Sequence, residues 1–434
     1  MSMVVWIVLA LFAICFIARM PIALSMFVTA VCYFFLSGKD LGLLVDTIVY
    51  SLYTSYVIMA VPLFIFTANV MNNGAIADKI FTFALSIVGR YKGGLGHVNV
   101  VNSLIFSGMT GSAIADAAGI GKLEIEHMKK HGYSGGFASA ITATSSTIGP
   151  IFPPSIPLIV YAMLSGASVG ALFIGGVIPG LLIAIALIIY IVYIARKRNY
   201  PIAERFTFYQ FLRYTVIAFP ALLTPVILLG GIYGGVMTPT EAGAVAALFA
   251  LLISFFVYRV LGLKSLFHLL KETVSTIGNL GLLIGTAFSF SFIVASEQIP
   301  QLISQFMLNL TDNPFLLLLM INVLFLMLGM IMDTSAITLV FIPIVLPLVV
   351  ALDINLVHFG VMITLNMMIG LSTPPFGMLL FITSGVSKTP LREVIRETMP
   401  MVYVMIVVLF LITYIPEFVL FLPKLLGLAV GTGG

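Results

Sequence analysis

The sequence predicts an all-α polytopic membrane protein, built as an inverted-topology repeat with two re-entrant helical hairpins and two broken helices. Three observations carry that expectation. The 434 residues are 61% hydrophobic and only 8% charged, which leaves too little polar surface to cover a water-soluble core. Gly149-Pro150-Ile151-Phe152-Pro153-Pro154-Ser155 and Gly370-Leu371-Ser372-Thr373-Pro374-Pro375-Phe376 share a G-x-x-x-P-P pattern inside long apolar runs. The basic residues then fall on one side of the predicted crossings, as cytoplasmic loops require.

Each element follows from the apolar runs in turn. A first repeat over 1–213 is expected to hold scaffold helices at about 1–72, with crossings near 3–19, 21–37 and 47–71. The first run, Val4 to Ala18, lacks a basic leader and a small-residue cleavage pattern, so it reads as a retained span. An amphipathic arm at about 75–90 suits the membrane interface. The stretch at about 95–130 holds two apolar pieces around a Gly-rich centre, each too short to span comfortably, and reads as a hairpin opening from the cytoplasm. A broken helix at about 134–165 and a helix at about 168–195 complete the repeat.

The second repeat, 214–434, is expected to repeat this order. Scaffold helices fall at about 214–296, with crossings near 214–236, 240–262 and 273–296, and an arm at about 298–311. A periplasmic-side hairpin is expected at about 314–352, a broken helix at about 355–386 and a helix at about 398–421. Collinear pairs link the halves. Asn102-Ser103-Leu104 matches Asn322-Val323-Leu324, Gly108-Met109 matches Gly329-Met330, and Ser112-Ala113-Ile114 matches Ser335-Ala336-Ile337. Five crossings per half invert the second copy. With the N-terminus outside, all Lys and Arg except Lys39 and Lys424 fall on the inner side, so both termini are expected in the periplasm.

The chemistry-bearing residues concentrate at the tips and breaks. Proline pairs end the helical ladder, and the freed carbonyls persist in a bilayer only where protein, water or an ion satisfies them. Matched breaks in two halves are the pattern of a secondary transporter with its site near the midplane. The first tip offers Ser107, Thr110, Ser112 and Asp116, and the second Gly329, Asp333 and Ser335. Thr144, Ser145 and Gly149 wall one side, Asn366 and Gly370 the other. These hard oxygen donors suggest two sodium sites, each between a tip and a break. Small residues that only permit close helix packing are the plainer alternative. Asp333 has no basic residue in its hairpin and is read as an ion ligand. Asp116 is open to either an ion role or an ion pair with Lys122. The half-helices expected to begin at Pro153-Pro154-Ser155 and Pro374-Pro375-Phe376 would present N–H groups to a carboxylate.

Other features carry less. Cys15 and Cys32 lie in apolar segments and read as core residues rather than a disulfide. His127-x-x-x-His131 is crowded by Lys129 and Lys130, so a metal site is not expected there. Thr238-Pro239-Thr240-Glu241 makes a capping box, with Glu241 a cap before a proton carrier. The Arg196-Lys197-Arg198 run anchors topology, and no nucleic-acid partner is expected. No phosphate loop, H-E-x-x-H or nucleophile elbow occurs, so the chain reads as neither an ATPase nor an enzyme, and no cofactor is expected.

The segments Phe106 to Asp116, Gly149 to Ser155, Met332-Asp333 and Thr373-Pro374-Pro375-Phe376-Gly377 resemble the large membrane (DctM-type) subunit of the tripartite ATP-independent periplasmic (TRAP) transporters, and the resemblance covers essentially the whole chain. It implies an elevator mechanism in the bacterial inner membrane, in which hairpins and broken helices carry an organic acid with Na+ through a scaffold. Sialic acid, a C4-dicarboxylate or a similar carboxylate fits. It also implies two partners, a small four-helix membrane subunit and a soluble periplasmic substrate-binding protein. A first span beginning at Val4 suggests that the small subunit is a separate chain. By carry-over, Ser103, Ser112, Asp333, Ser145, Gly149, Asn366, Gly370 and Thr373 are the ion-site candidates. Gly329 and Ser335 join them from the tip reading, with Thr110, Pro153, Ser155, Pro374 and Pro375 as substrate candidates. The competing expectation is a stand-alone proton-coupled anion carrier, in which Glu241 and Asp116 titrate. A passive channel is a further alternative.

Overall fold

The computed structural model describes residues 3–429 except 55, 73 and 312. Among the described residues no strand forms, and an isolated bridge between Lys92 and Ile202 is the only β contact. The chain begins with α1 (Met3–Ile17), α2 (Ile22–Leu36), α3 (Leu41–Thr54) and α4 (Ala60–Met71). The crossing expected as one helix at 47–71 is instead two helices inclined at 64°. The amphipathic arm is α5 (Gly74–Val88). The stretch at 95–130 is three helices, α6 (Gly94–Thr110), α7 (Ala113–Ala118) and α8 (Ile120–Lys130). The chain then forms α9 (Gly135–Ser145), a 3-10 turn (Ser146–Ile148), α10 (Ile156–Ser165) and α11 (Val169–Lys197).

The second half opens with α12 (Phe208–Tyr233) and α13 (Pro239–Leu252), which runs on as a wide turn through Val257, followed by α14 (Leu263–Ser296). α12 starts six residues before 214 because Thr207 and Gln210 close a reciprocal capping box there. The box at Thr238 and Glu241 starts α13 in the same way: Glu241 Oε2 accepts from Thr238 N at 2.7 Å. Glu241 is thus a helix cap. α15 (Ile299–Leu310), α16 (Pro314–Ile331), α17 (Thr334–Ala351), α18 (Leu356–Leu371), α19 (Met378–Ser387), α20 (Leu391–Tyr414) and α21 (Glu417–Leu425) complete the order. The expectation that the pieces of 314–352 are too short to span is corrected. α16 and α17 have 18 residues each and are among seven helices long and apolar enough to cross a membrane. The last crossing also ends sooner than expected, at Tyr414, where Pro416 separates α21 from α20.

Packing divides the helices into two groups. α14 runs against α2, α3 and α4, α13 packs on α4 and α12, and α12 lies on α5. The other group is centred on α9 and α18. All sixteen residues of α18 and every residue of α9 after Gly135 are buried. The halves exchange partners: α9 packs on α19 and α20, α10 on α17 and α18, and α19 on α7 and α8. Each post-break half-helix therefore leans on the hairpin of the opposite half. The outer surface is apolar, with Trp6, Ile189, Phe219 and Phe267 exposed, as a chain in lipid requires. The two cysteines are free and half-buried.

Candidate functional site

Close backbone approach brings each hairpin tip onto a break. Gly111 takes φ +58° between α6 and α7, and a Cβ there would lie 2.5 Å from the Pro154 carbonyl oxygen. Only glycine meets both demands. Ser112 caps α7 by accepting from Ala115 N at 3.4 Å. Gly149 faces it, since a Cβ on Gly149 would sit 3.6 Å from the Ser112 carbonyl carbon. In the second half a Cβ on Gly370 would lie 2.7 Å from Gly329 Cα, and Gly377 N donates to Met330 O at 3.1 Å. The structure thus brings together Ser112 with Gly149, and Gly329 with Gly370.

The polar side chains behind these contacts differ between the halves. Ser103 Oγ donates to Ser145 Oγ at 3.0 Å, and Ser145 Oγ donates to Asn99 Oδ1 at 2.6 Å. Asn99 Nδ2 continues to Thr142 Oγ1 at 2.7 Å. In the second half Asn366 Nδ2 donates to Asn322 O at 2.8 Å and Asn322 Oδ1 at 2.6 Å. Asn366 Oδ1 is buried with no donor. Asp333 caps α17, accepting from Ser335 N at 3.0 Å. Its carboxylate therefore holds a helix end while facing a cavity.

That cavity, of about 400 Å³, lies where both tips meet. Thr110, Gly111 and Ser112 line it from the first tip, and Asp333, Thr334 and Ser335 from the second. Pro150, Ile156 and Pro157 line it from the first break, Met368 and Leu371 from α18. Asn69 on α4 and Thr276 on α14 close the far wall. Among the described residues, Asp333 is the only charged one in this lining. The site can therefore offer hydroxyls, carbonyls and one carboxylate to a cation, and the start of α10 to an anion.

Several sequence candidates fall elsewhere. Neither proline pair begins a helix: α10 starts at Ile156, with Pro157 in its first turn, and α19 starts at Met378, after Gly377. The positive φ of Gly377, +44°, breaks the helical path and delays the second start. The Pro153–Pro154 and Pro374–Pro375 bonds are both cis. Pro153, Ser155, Pro374 and Pro375 do not line the cavity. Ser155 is a buried cap instead, donating to Pro150 O and accepting from Leu158 N. Thr373 Oγ1 donates to Ile369 O at 2.6 Å, and Thr110 Oγ1 to Phe106 O at 3.2 Å. Lys122 is exposed and forms no ion pair with the buried Asp116, which removes that alternative. His127 and His131 each turn Nδ1 to the carbonyl four residues back, and no metal-type cluster of His, Cys, Asp or Glu occurs among the described residues.

Sequence reasoning missed Asn69, Thr276 and Glu124. Nothing in the local sequence marks the first two, which reach the cavity through packing of α4 and α14. Glu124 had a signal: it interrupts the stripe Ile120, Gly121, Ile125, Met128 that α8 buries. A carboxylate at that helical spacing is placed on the apolar face.

Comparison with known proteins joins these features to a family. A family model described as tripartite ATP-independent periplasmic transporter, DctM component, matches residues 9–418. The sialic acid TRAP transporter large permease protein SiaM of Vibrio cholerae is 45% identical over 86% of this chain and 87% of its own length. The sialic acid TRAP transporter permease protein SiaT of Haemophilus influenzae is 40% identical over 97% of this chain and 68% of its own. The C4-dicarboxylate TRAP transporter large permease protein DctM of Vibrio cholerae is 35% identical over 94% and 95%. A match of this extent, on a helical chain whose breaks and tips surround one cavity, means that this multi-pass membrane protein belongs to the DctM family of TRAP transporter large permeases, and is not an enzyme.

Proposed function

We propose that the protein couples sodium entry to uptake of an organic acid across the bacterial inner membrane, by an elevator movement of the α9- and α18-centred group against the α14-centred group. The observation that supports this most is the shared cavity, which both tips and both breaks border. Ser103, Ser112, Ser145 and Gly149 form the first sodium site. Gly329, Asp333, Ser335, Asn366, Gly370 and Thr373 form the second, where the donorless Asn366 Oδ1 is a ready ligand. The substrate lies in the cavity beside Thr110, with a carboxylate at the α10 start. A sialic acid or C4-dicarboxylate follows functions named among the relatives. A four-helix membrane subunit and a periplasmic binding protein complete the system, and both termini face the periplasm. The reciprocal packing of α10 on α17 and of α19 on α7 and α8 supports inverted repeats as the moving frame.

The capping role of Glu241 weighs against the proton-coupled alternative. The deciding experiment reconstitutes the chain with its small subunit and binding protein in proteoliposomes and follows labelled sialic acid and succinate. An inward sodium gradient drives accumulation of one of them, and a potassium gradient does not. Accumulation that follows a proton gradient with sodium absent would overturn the proposal.

A further inference from the structure

The first half holds a second set of oxygen atoms outside the two sodium sites. Asn102 on α6, Asp116 on α7 and Glu124 on α8 are 0%, 1% and 1% exposed. Asn102 Nδ2 donates to Glu124 Oε1 at 2.9 Å. The remaining oxygens, Asn102 Oδ1, Glu124 Oε2 and both of Asp116, are buried without a donor. Asp116 stands on α7, which packs on both α6 and α8, and it lies beside the hydroxyls of Ser103 and Ser146.

Both hydroxyls also have other acceptors within reach. Ser103 donates to Ser145, and Ser146 Oγ donates to Thr142 O at 2.7 Å. No described Lys or Arg pairs with either acid. Carboxyls held ionised in such surroundings need a counter-ion. Oxygen-only donors suit a hard cation rather than a soft one. Asn102 is the independent pointer: a fully buried amide fixed by Glu124 whose free oxygen has nothing to accept from.

We propose that Asn102, Asp116 and Glu124, with the Ser146 hydroxyl, bind one further sodium ion in the first half. The inference rests on the sodium reading above and raises the ions bound per chain from two to three. The test is 22Na+ equilibrium binding to the purified full-length chain in nanodiscs, with potassium as the balancing cation. Wild type is expected to bind three sodium ions, and Asp116→Asn and Glu124→Gln two each. Glu124→Gln keeps an oxygen for Asn102 Nδ2, so it remains informative should Asp116→Asn not fold. Two ions in wild type, or unchanged number and affinity in the folded variants, overturns the third site and leaves the two-site reading standing. No bound sodium in wild type sinks both. Displacement of the third ion by equimolar calcium shows a divalent site and overturns the assignment to sodium.

Discussion

The two hairpin–break units share a backbone plan and differ in what lies behind it. In the first, Gly111 is pressed on Pro154 and the interior is a chain of hydroxyls and amides ending beside two carboxylates. In the second, Gly329 is pressed on Gly370 and the interior is one asparagine pair, with the acid at a helix cap. The breaks also differ in burial: Pro153 and Pro154 are buried, whereas Pro375 and Phe376 are exposed. Close approach of main chains is what the fold repeats. Polar chemistry is free to diverge, because a buried network needs only internal satisfaction. The units are mechanically alike and chemically unequal.

Adding a methyl group at each tip contact tests mechanical likeness, and this carries the largest expected effect. Gly111→Ala meets a carbonyl oxygen at 2.5 Å in a left-handed conformation that costs an L-residue about 1–2 kcal/mol before any clash. Gly370→Ala meets Gly329 backbone at 2.7 Å without that strain. Uptake in proteoliposomes is expected to fall by at least about tenfold for Gly111→Ala, the change that about 1.4 kcal/mol produces, and by less for Gly370→Ala. Normal uptake by Gly111→Ala would show that the first tip does not need its close seat.

Smaller changes separate the interiors. Asn366→Ala removes both hydrogen bonds to Asn322, and leaving buried acceptors unpaired costs about 1–3 kcal/mol. Ser145→Ala takes the donor from Asn99 Oδ1 and the acceptor from Ser103, but Asn99 keeps its bond to Thr142. Melting of the purified protein is expected to drop more for Asn366→Ala than for Ser145→Ala. Both are expected to weaken stabilisation by sodium over potassium. A sodium effect lost in one variant only would assign coupling to a single unit.

This comparison also explains what the sequence could disclose. Helix content was legible because apolar length is a local signal: α15, Ile299–Leu310, lies inside the amphipathic stretch expected at about 298–311, whereas the single crossing expected at 47–71 is two helices. Partners were not legible. Asn99 meets Ser145 across 46 positions, and Asn366 meets Asn322 across 44, so packing alone selects them. The proline pairs misled for a related reason. Proline suits a first helical turn, yet Ser155 and Gly377 set where the half-helices start. Asp116 stayed open between an ion role and a pair because Lys122 is near in sequence, while the fold turns Lys122 outward and Asp116 inward.

The smallest expected effect lies where the halves meet at a polar edge. Arg198, at the end of α11, pairs with Glu397 on α20 at 2.8 Å and also donates to Tyr200 Oη at 3.2 Å. The side chains are 36% and 18% exposed, so water screens the pair, and bridges of this kind contribute about 0–1 kcal/mol. The halves are already joined by the buried packing of α9 on α20 and α10 on α18. Arg198→Ala should therefore leave uptake within about twofold of wild type, since about 0.4 kcal/mol corresponds to a factor of two. Raising salt should erase the difference in melting between the variant and wild type. A double-mutant cycle with Glu397→Gln measures the pair directly. Loss of uptake in Arg198→Ala with unchanged melting would mean that the bridge acts in transport and not only in holding the two halves together. The difference between the halves would then lie in this edge contact as well as in the chemistry behind the tips.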